Sequence, residues 1–229
     1  MNIQYLQKLT LLDYPGKVAC TIFTYGCNLR CPFCHNAGLV TQAPGKSISP
    51  DELFSFLKKR QGILEGVAVT GGEPLISDGI FDILREIKAL GYPVKMDTNG
   101  FFPDRLEKAL REGLCDYVAM DIKNSPKLYG VTVGVENIDI SPVLRSIGLL
   151  RASGIEHEFR TTVVRELHTE NSLCEAAEMI KGAEKYFIQC FKDSGNTIAS
   201  GYSAYTEKEL QALLLEVKKV IPTASLRGV

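Results

Sequence analysis

Three cysteines stand close together at 27, 31 and 34 in the stretch YGCNLRCPFCHN (residues 25–36), and His35 follows the last of them. A thiol group this dense in a chain of 229 residues reads as a metal or redox device and not as a disulfide framework. The spacing is C-x3-C-x2-C. On a helix these positions would share a face, but Pro32 lies between them and Gly26 precedes them, so the reading is a loop wrapped around a cluster. A cubane iron–sulfur cluster takes four cysteine thiolates. Three ligands leave one iron open, and an open iron can bind a substrate or cofactor and act as a reagent. The alternative is a zinc ion with His35, His157 or His168 as fourth ligand. Cys34 and His35 are adjacent, which makes them a poor pair for one tetrahedral ion.

Four further groups of polar residues could work with such a centre. VAVTGGEPL (67–75) places Gly71 and Gly72 after a strand, where backbone can approach a ligand closely, and Glu73 at the same strand end. KMDTNGF (95–101) carries Asp97 and Thr98 ahead of an Asn-Gly turn signal. In AMDIK (119–123), Asp121 and Lys123 are two apart on a strand and face one side, each able to partner the other. In HEFRTTVV (157–164), Arg160 and Thr162 share a face by the same rule, and Arg160 suits carboxylate binding.

The elements that must position these residues alternate along the chain. Strand-like runs at 17–24, 66–70, 92–98, 115–123, 156–164 and 185–191 are separated by helical patterns at 49–60, 78–90, 103–112, 141–152, 171–182 and 206–220. Ser49 is expected to cap the first of these helices, with Pro50 in its first turn. Strands that alternate with helices predict a parallel sheet. The polar motifs fall at the C-terminal ends of successive strands, which describes a barrel mouth. An open doubly wound sheet would gather them at one switch point instead. The expectation is an α/β fold, a partial (β/α)6 barrel of the TIM type with parallel strands, in a single domain spanning residues 1–229. The remaining cysteines, Cys20, Cys115, Cys174 and Cys190, read as buried small hydrophobes.

With these motifs in view, the sequence resembles the radical S-adenosylmethionine superfamily, through C-x3-C-x2-C with Phe33 just before the last cysteine. The resemblance implies one 4Fe–4S cluster held by Cys27, Cys31 and Cys34, with S-adenosyl-L-methionine chelating the fourth iron. Reductive cleavage of that cofactor would give a 5′-deoxyadenosyl radical that abstracts a hydrogen atom. It also implies that Gly71, Gly72 and Glu73 face the methionine amino group. Asp97 and Thr98 would lie near the ribose. Asp121 and Lys123 would sit at the methionine end, with Lys123 on its carboxylate. Phe33 and Arg160 complete the implied cofactor contacts, and Val163 or Val164 would pack on adenine.

The run LTLLDYPGKVACTIFTYGCNLRCPFCHN looks like the activating proteins of anaerobic ribonucleoside-triphosphate reductase, close to pyruvate formate-lyase activators. Such enzymes install a glycyl radical on a partner, so the implied partner is a glycyl radical enzyme, anaerobic ribonucleotide reductase first among them. No second cysteine cluster exists, which points to an external electron donor such as flavodoxin or ferredoxin. Pyruvate formate-lyase activators carry a His just after the last barrel strand. Here IQCFKDSGN (188–196) offers Lys192 and Asp193 in its place, a departure from that subgroup. The alternatives are a radical enzyme acting on a small molecule, like the carboxy-deazaguanine synthases, and a non-catalytic zinc or cluster module. A net charge of −1 gives no nucleic-acid footprint. No apolar run approaches a membrane span, and the N-terminus shows no apolar stretch with a cleavage site, so a cytoplasmic protein is expected.

Overall fold

The computed structural model describes residues 2–193 and 195–228. Its centre is one eight-stranded sheet whose strands lie side by side in chain order. They are β1 (Ile3–Thr10), β2 (Ala19–Thr24), β3 (Gly66–Gly71), β4 (Val94–Thr98), β5 (Tyr117–Asp121), β6 (Glu156–Val163), β7 (Tyr186–Cys190) and β8 (Ser225–Arg227). β1 runs antiparallel to β2, and every later neighbour is parallel. Among the described residues β1 and β8 do not pair, so the barrel is open along that seam. The six strands expected from the sequence are β2 to β7. The two edge strands went unread, because IQYLQKLT has no clear alternation and Ser225–Arg227 is three residues long.

Helices α1 (Ala37–Thr41), α2 (Pro50–Lys59), α3 (Ile80–Ala89), α4 (Pro103–Arg111), α5 (Tyr129–Val133), α6 (Ser141–Ser153), α7 (Glu170–Met179) and α8 (Glu207–Lys218) accompany the strands. Local chemistry fixes their starts. Ser49 and Glu52 form a capping box at α2, with Pro50 at its first position, and Thr206 and Glu209 do the same at α8. Gly154 ends α6 in the left-handed conformation that a helix C-terminus favours.

The period-two rule sorts each strand between two environments. Val67, Val69, Val94, Met96, Val118, Met120 and Ile188 face the helices and are fully buried in the main core. Their alternates, which include Lys95, Asp97, Asp121, Glu158, Arg160, Thr162 and Gln189, face the barrel interior. A small cluster of Tyr14, Ala19, Tyr117 and Ala119 fills that interior where β2 and β5 begin. There Tyr117 Oη donates to Glu158 Oε2 (2.8 Å), and Arg227 holds the same carboxylate with two bonds of 2.6 and 3.0 Å. The N-terminal end is thus filled, and space remains at the C-terminal end. Cys20 and Cys115 are buried as expected, whereas Cys174 and Cys190 are partly exposed. Among the described residues, no helix is long and apolar enough to cross a membrane.

Candidate active site

A cavity of about 290 Å³ lies at the C-terminal ends of the strands. Cys27, Cys31 and Cys34 all line it. They sit on the loop between β2 and α1, which is fastened at several points. Gly26 N donates to Leu39 O (2.9 Å), Arg30 N to Val133 O (2.8 Å), Cys34 N to Cys31 O (3.0 Å) and Ala199 N to Pro32 O (2.9 Å). Gly134, left-handed at φ +68°, lies so close that a Cβ there would stand 2.3 Å from Arg30 O. Phe33 is buried beneath the loop, edge-on to Phe191 (6.3 Å) and His168 (6.5 Å). Burial pushes the Cys27 thiol up to about 11 and raises that of Cys31, so the metal-free loop holds these two as neutral thiols near pH 7.

The zinc alternative asks for a fourth ligand, and two of the three candidate histidines are engaged elsewhere. His168 Nε2 is 2.8 Å from Lys123 O and its Nδ1 is 3.1 Å from Val164 N. His157 Nδ1 is 3.0 Å from Ile155 O, at the start of β6. His35 lies at the cavity and stacks on Phe191 with centroids 5.4 Å apart. Among the described residues no three His, Cys, Asp or Glu side chains are arranged to hold a single ion. A cubane makes a different demand, one thiolate on each of three irons, and three thiols facing one cavity meet that demand in kind.

The GGE run is built differently from the sequence expectation. A Cβ on Gly72 would stand 1.9 Å from Gly26 O, and one on Gly71 (φ +126°) 2.2 Å from Thr24 N. The close approach seen here is to the backbone of β2 and the cysteine loop, and both glycines also line the cavity. Glu73 departs further. It was expected at the mouth, but it is fully buried and does not line the cavity. Its carboxylate accepts from Leu75 N (3.1 Å), Thr98 Oγ1 (2.9 Å) and Asn99 N (2.7 Å), while its own N–H donates to Gly26 O (2.8 Å). One residue thus ties the cysteine loop to the end of β4.

Burial pushes the Glu73 carboxyl up to about 7. A raised folded pKa means that the folded state binds the proton more tightly than the unfolded chain. Its contribution is complete below the ordinary value of 4.5 and is lost as pH rises through about 7. Glu73→Gln removes the titration and sets an amide NH2 against Asn99 N–H. The variant is expected to be less stable than the parent by about 1–3 kcal/mol at pH 5. That gap should narrow between pH 5 and 8, as read by denaturant unfolding of both proteins. A gap independent of pH would show that Glu73 does not titrate in this range.

Opposite the cysteines runs a chain of alternating charge on the inner faces of β4, β5 and β6. Lys95 Nζ holds Asp97. Arg160 bridges Asp97 Oδ2 (3.3 Å) and Asp121 Oδ1 (2.9 Å), and Lys123 Nζ meets Asp121 Oδ2 (2.9 Å). Burial would push the two carboxyls up, but the neighbouring cations outweigh it. Asp97 lies below the usual carboxylate range, and Asp121 is held down at about 2. For Lys123, burial would lower the ammonium, but the Asp121 carboxylate beside it outweighs burial and raises it. The four of these groups that line the cavity, Asp97, Asp121, Lys123 and Arg160, balance in charge, and Lys95 is buried behind them.

Of the residues singled out from the sequence, the three cysteines, Phe33, Gly71, Gly72, Asp97, Thr98, Asp121, Lys123 and Arg160 line this one cavity, and Glu73 does not. Val163 and Val164 do not, being fully buried. Neither Lys192 nor Asp193 lines it; the imidazole beside the end of β7 is His35, brought there by the cysteine loop. Ser194 of that run lies outside the described residues. Thr162, read from the sequence as sharing a face with Arg160, lines the cavity too, whereas sequence reading missed Asn36, Thr70, Asn99 and Gln189 as cavity residues. Gln189 carried a signal, as a polar residue inside the apolar strand KYFIQCF, and Asn99 was noticed only as a turn former. Asn99 in fact links the loops, its Nδ2 donating to Asn28 Oδ1 (2.8 Å).

The family model described as Radical SAM superfamily matches residues 21–180. A protein of Methanocaldococcus jannaschii, provisionally named a glycyl-radical enzyme activating enzyme, is 32% identical over 228 residues, which cover 96% of this chain and 93% of that one. The pyruvate formate-lyase-activating enzyme of Clostridium pasteurianum is 32% identical over 128 residues, 54% of this chain and 52% of its own. Among solved structures, Streptococcus suis SuiB bound to S-adenosylmethionine superposes with a TM-score of 0.70 at 14% identity, over 91% of this chain and 52% of that one. A domain of a pyruvate-formate lyase-activating enzyme from Bacteroides vulgatus gives 0.58 at 18% identity, over 71% of this chain and 99% of that one. At these identities the superpositions speak for the fold.

Proposed function

The chain belongs to the radical SAM superfamily, whose cofactors are a 4Fe–4S cluster on three cysteines and S-adenosyl-L-methionine, and from that premise we propose that it is an activase that installs a glycyl radical on a partner enzyme. The observation that carries the reading is the meeting, in one cavity, of three thiols with a wall of paired charges from Asp97, Asp121, Lys123 and Arg160. Cys27, Cys31 and Cys34 would hold the cluster, which together with S-adenosylmethionine would supply one-electron reduction and hydrogen-atom abstraction at the cavity.

The chain's own residues have distinct tasks in this reading. Cys27, Cys31 and Cys34 hold three irons. Lys123, kept charged by Asp121, receives the methionine carboxylate, and Arg160 fixes Asp121 and Asp97 in place. Asp97 and Thr98 present acceptors to the ribose. Gly71 and Gly72 bring the backbone of β3 against the cysteine loop, while Phe33 holds that loop from below. Glu73 acts indirectly, by fixing Thr98 and Asn99.

The partner in this reading is a glycyl radical enzyme, supported by the name of the relative that matches along nearly the whole chain. Anaerobic ribonucleotide reductase is proposed as that enzyme, on the N-terminal run through the cysteine loop. The sequence holds one cysteine cluster, which supports an external donor, flavodoxin or ferredoxin.

The test is low-temperature EPR of the anaerobically reconstituted, reduced protein. A 4Fe–4S signal that changes shape on adding S-adenosylmethionine is expected, followed by a glycyl radical on added anaerobic ribonucleotide reductase. Cofactor cleavage without radical on any glycyl radical enzyme would favour a small-molecule substrate. Bound zinc and no cluster signal would overturn the mechanism.

A further inference from the structure

Among the polar side chains of the cavity, Asp97, Asp121, Lys123 and Arg160 are charged and engaged with one another, whereas Asn36, Thr98 and Asn99 are neutral and bonded to other protein groups. Farther along the wall, Thr162 of β6 and Gln189 of β7 also line the cavity. They are directly paired across the two parallel strands, Thr162 opposite Gln189. Among the described residues neither side chain has a hydrogen-bond partner within the protein. Both are partly buried, and both are uncharged.

A neutral, unpaired pair beside a charged, paired wall is suited to a different ligand group. The charged wall complements a zwitterion. A primary carboxamide offers an acceptor and two donors on one plane, which complements the C=O and N–H of a peptide unit. A threonine hydroxyl can donate or accept as the neighbouring peptide group requires. Neither residue favours a charged ligand. We infer that Gln189 and Thr162 bind the main-chain amide beside the target glycine of a peptide segment and so set which Cα–H faces the cofactor. This rests on the activase reading and names the residues that read its substrate. Backbone recognition fits glycine, which has no side chain to grip.

The experiment uses the reconstituted holoenzyme and a capped heptapeptide with a central glycine dideuterated at Cα. Reduced enzyme, peptide and S-adenosylmethionine are incubated, and the 5′-deoxyadenosine is analysed by mass spectrometry for deuterium. Gln189→Leu keeps the bulk and removes the hydrogen bonds, and Thr162→Val is isosteric. Each is expected to raise KM for the peptide about tenfold, the loss of roughly one net hydrogen bond. The deuterated fraction of the product should fall at fixed peptide concentration. If 5′-deoxyadenosine formation slows while the deuterated fraction holds, the two residues serve the cofactor and the inference fails. It also fails if both quantities are unchanged. If the unsubstituted enzyme cleaves S-adenosylmethionine but never transfers deuterium from glycine, the activase reading itself falls, and the inference with it.

Discussion

Alanine at Cys27, Cys31 or Cys34 is expected to remove iron and sulfide from the reconstituted protein and to lower 5′-deoxyadenosine formation by a factor on the order of 10³ or more. Each thiol serves a different iron, so no remaining cysteine of the loop can stand in for the lost one. The nearest substitutes by type are unsuitable. Cys20 and Cys115 are buried in the core, Cys174 lies on α7, and Cys190 turns its Sγ to Phe191 O and does not line the cavity. Cys174→Ala should therefore keep full iron content and activity. Folding should survive in all four variants, because the loop is held chiefly by backbone bonds and by Phe33, with Cys27 Sγ adding only long contacts from Leu29 N (3.4 Å) and Asn99 Nδ2 (3.8 Å). Iron content, optical spectra and product formation check the set. Retained activity in any loop variant, or its loss in Cys174→Ala, would reassign the ligands.

The second large effect concerns stability. Asp121→Asn takes one of two carboxylates from a network that holds three cations, and it removes the carboxylate that pairs with Lys123. Breaking a buried pair costs about 3–5 kcal/mol, and the low end is expected here because 29% of the Asp121 side chain remains exposed. The pH dependence follows from the depressed pKa. The Asp121 contribution is fully present above the ordinary value of 3.8 and is lost as pH falls through about 2. The gap between parent and variant should thus be constant near neutrality, at about 3 kcal/mol. Below pH 4 it should close, as measured by urea unfolding across the acid range. A gap under about 0.5 kcal/mol at pH 7 would mean that solvent already screens the pair.

The chemistry of the site was legible where it depends on residue type and local spacing. The cysteine loop, the period-two partners Asp121 and Lys123, and Arg160 all announce themselves, since strand geometry sets which side chains share a face. The capping residue at Ser49 and the proline after it mark α2 in the same local way. What could not be read depends on contacts distant in sequence. β1 is a strand because it pairs with β2, and its own residues carry little strand signal. Glu73 turns inward because the left-handed Gly71 and the contact of Gly72 with Gly26 redirect the chain before it. Spacing cannot say whether a strand-end carboxylate meets a ligand or a buried backbone amide. Gln189 was passed over because a lone amide in an apolar strand becomes informative only when Thr162 is found opposite.

The fastening of the cysteine loop has a thermodynamic consequence. Ordering a free backbone costs about 1–2 kcal/mol per residue in conformational entropy. Between Gly26 and Cys34 that ordering is already accomplished by bonds to Leu39, Val133, Ala199 and Glu73, none of which involves a metal. A ligand entering the cavity meets a receptor whose disorder has been removed during folding. Little of its binding free energy is consumed in shaping the loop, so the metal-free protein should exchange its loop amides nearly as slowly as the loaded one.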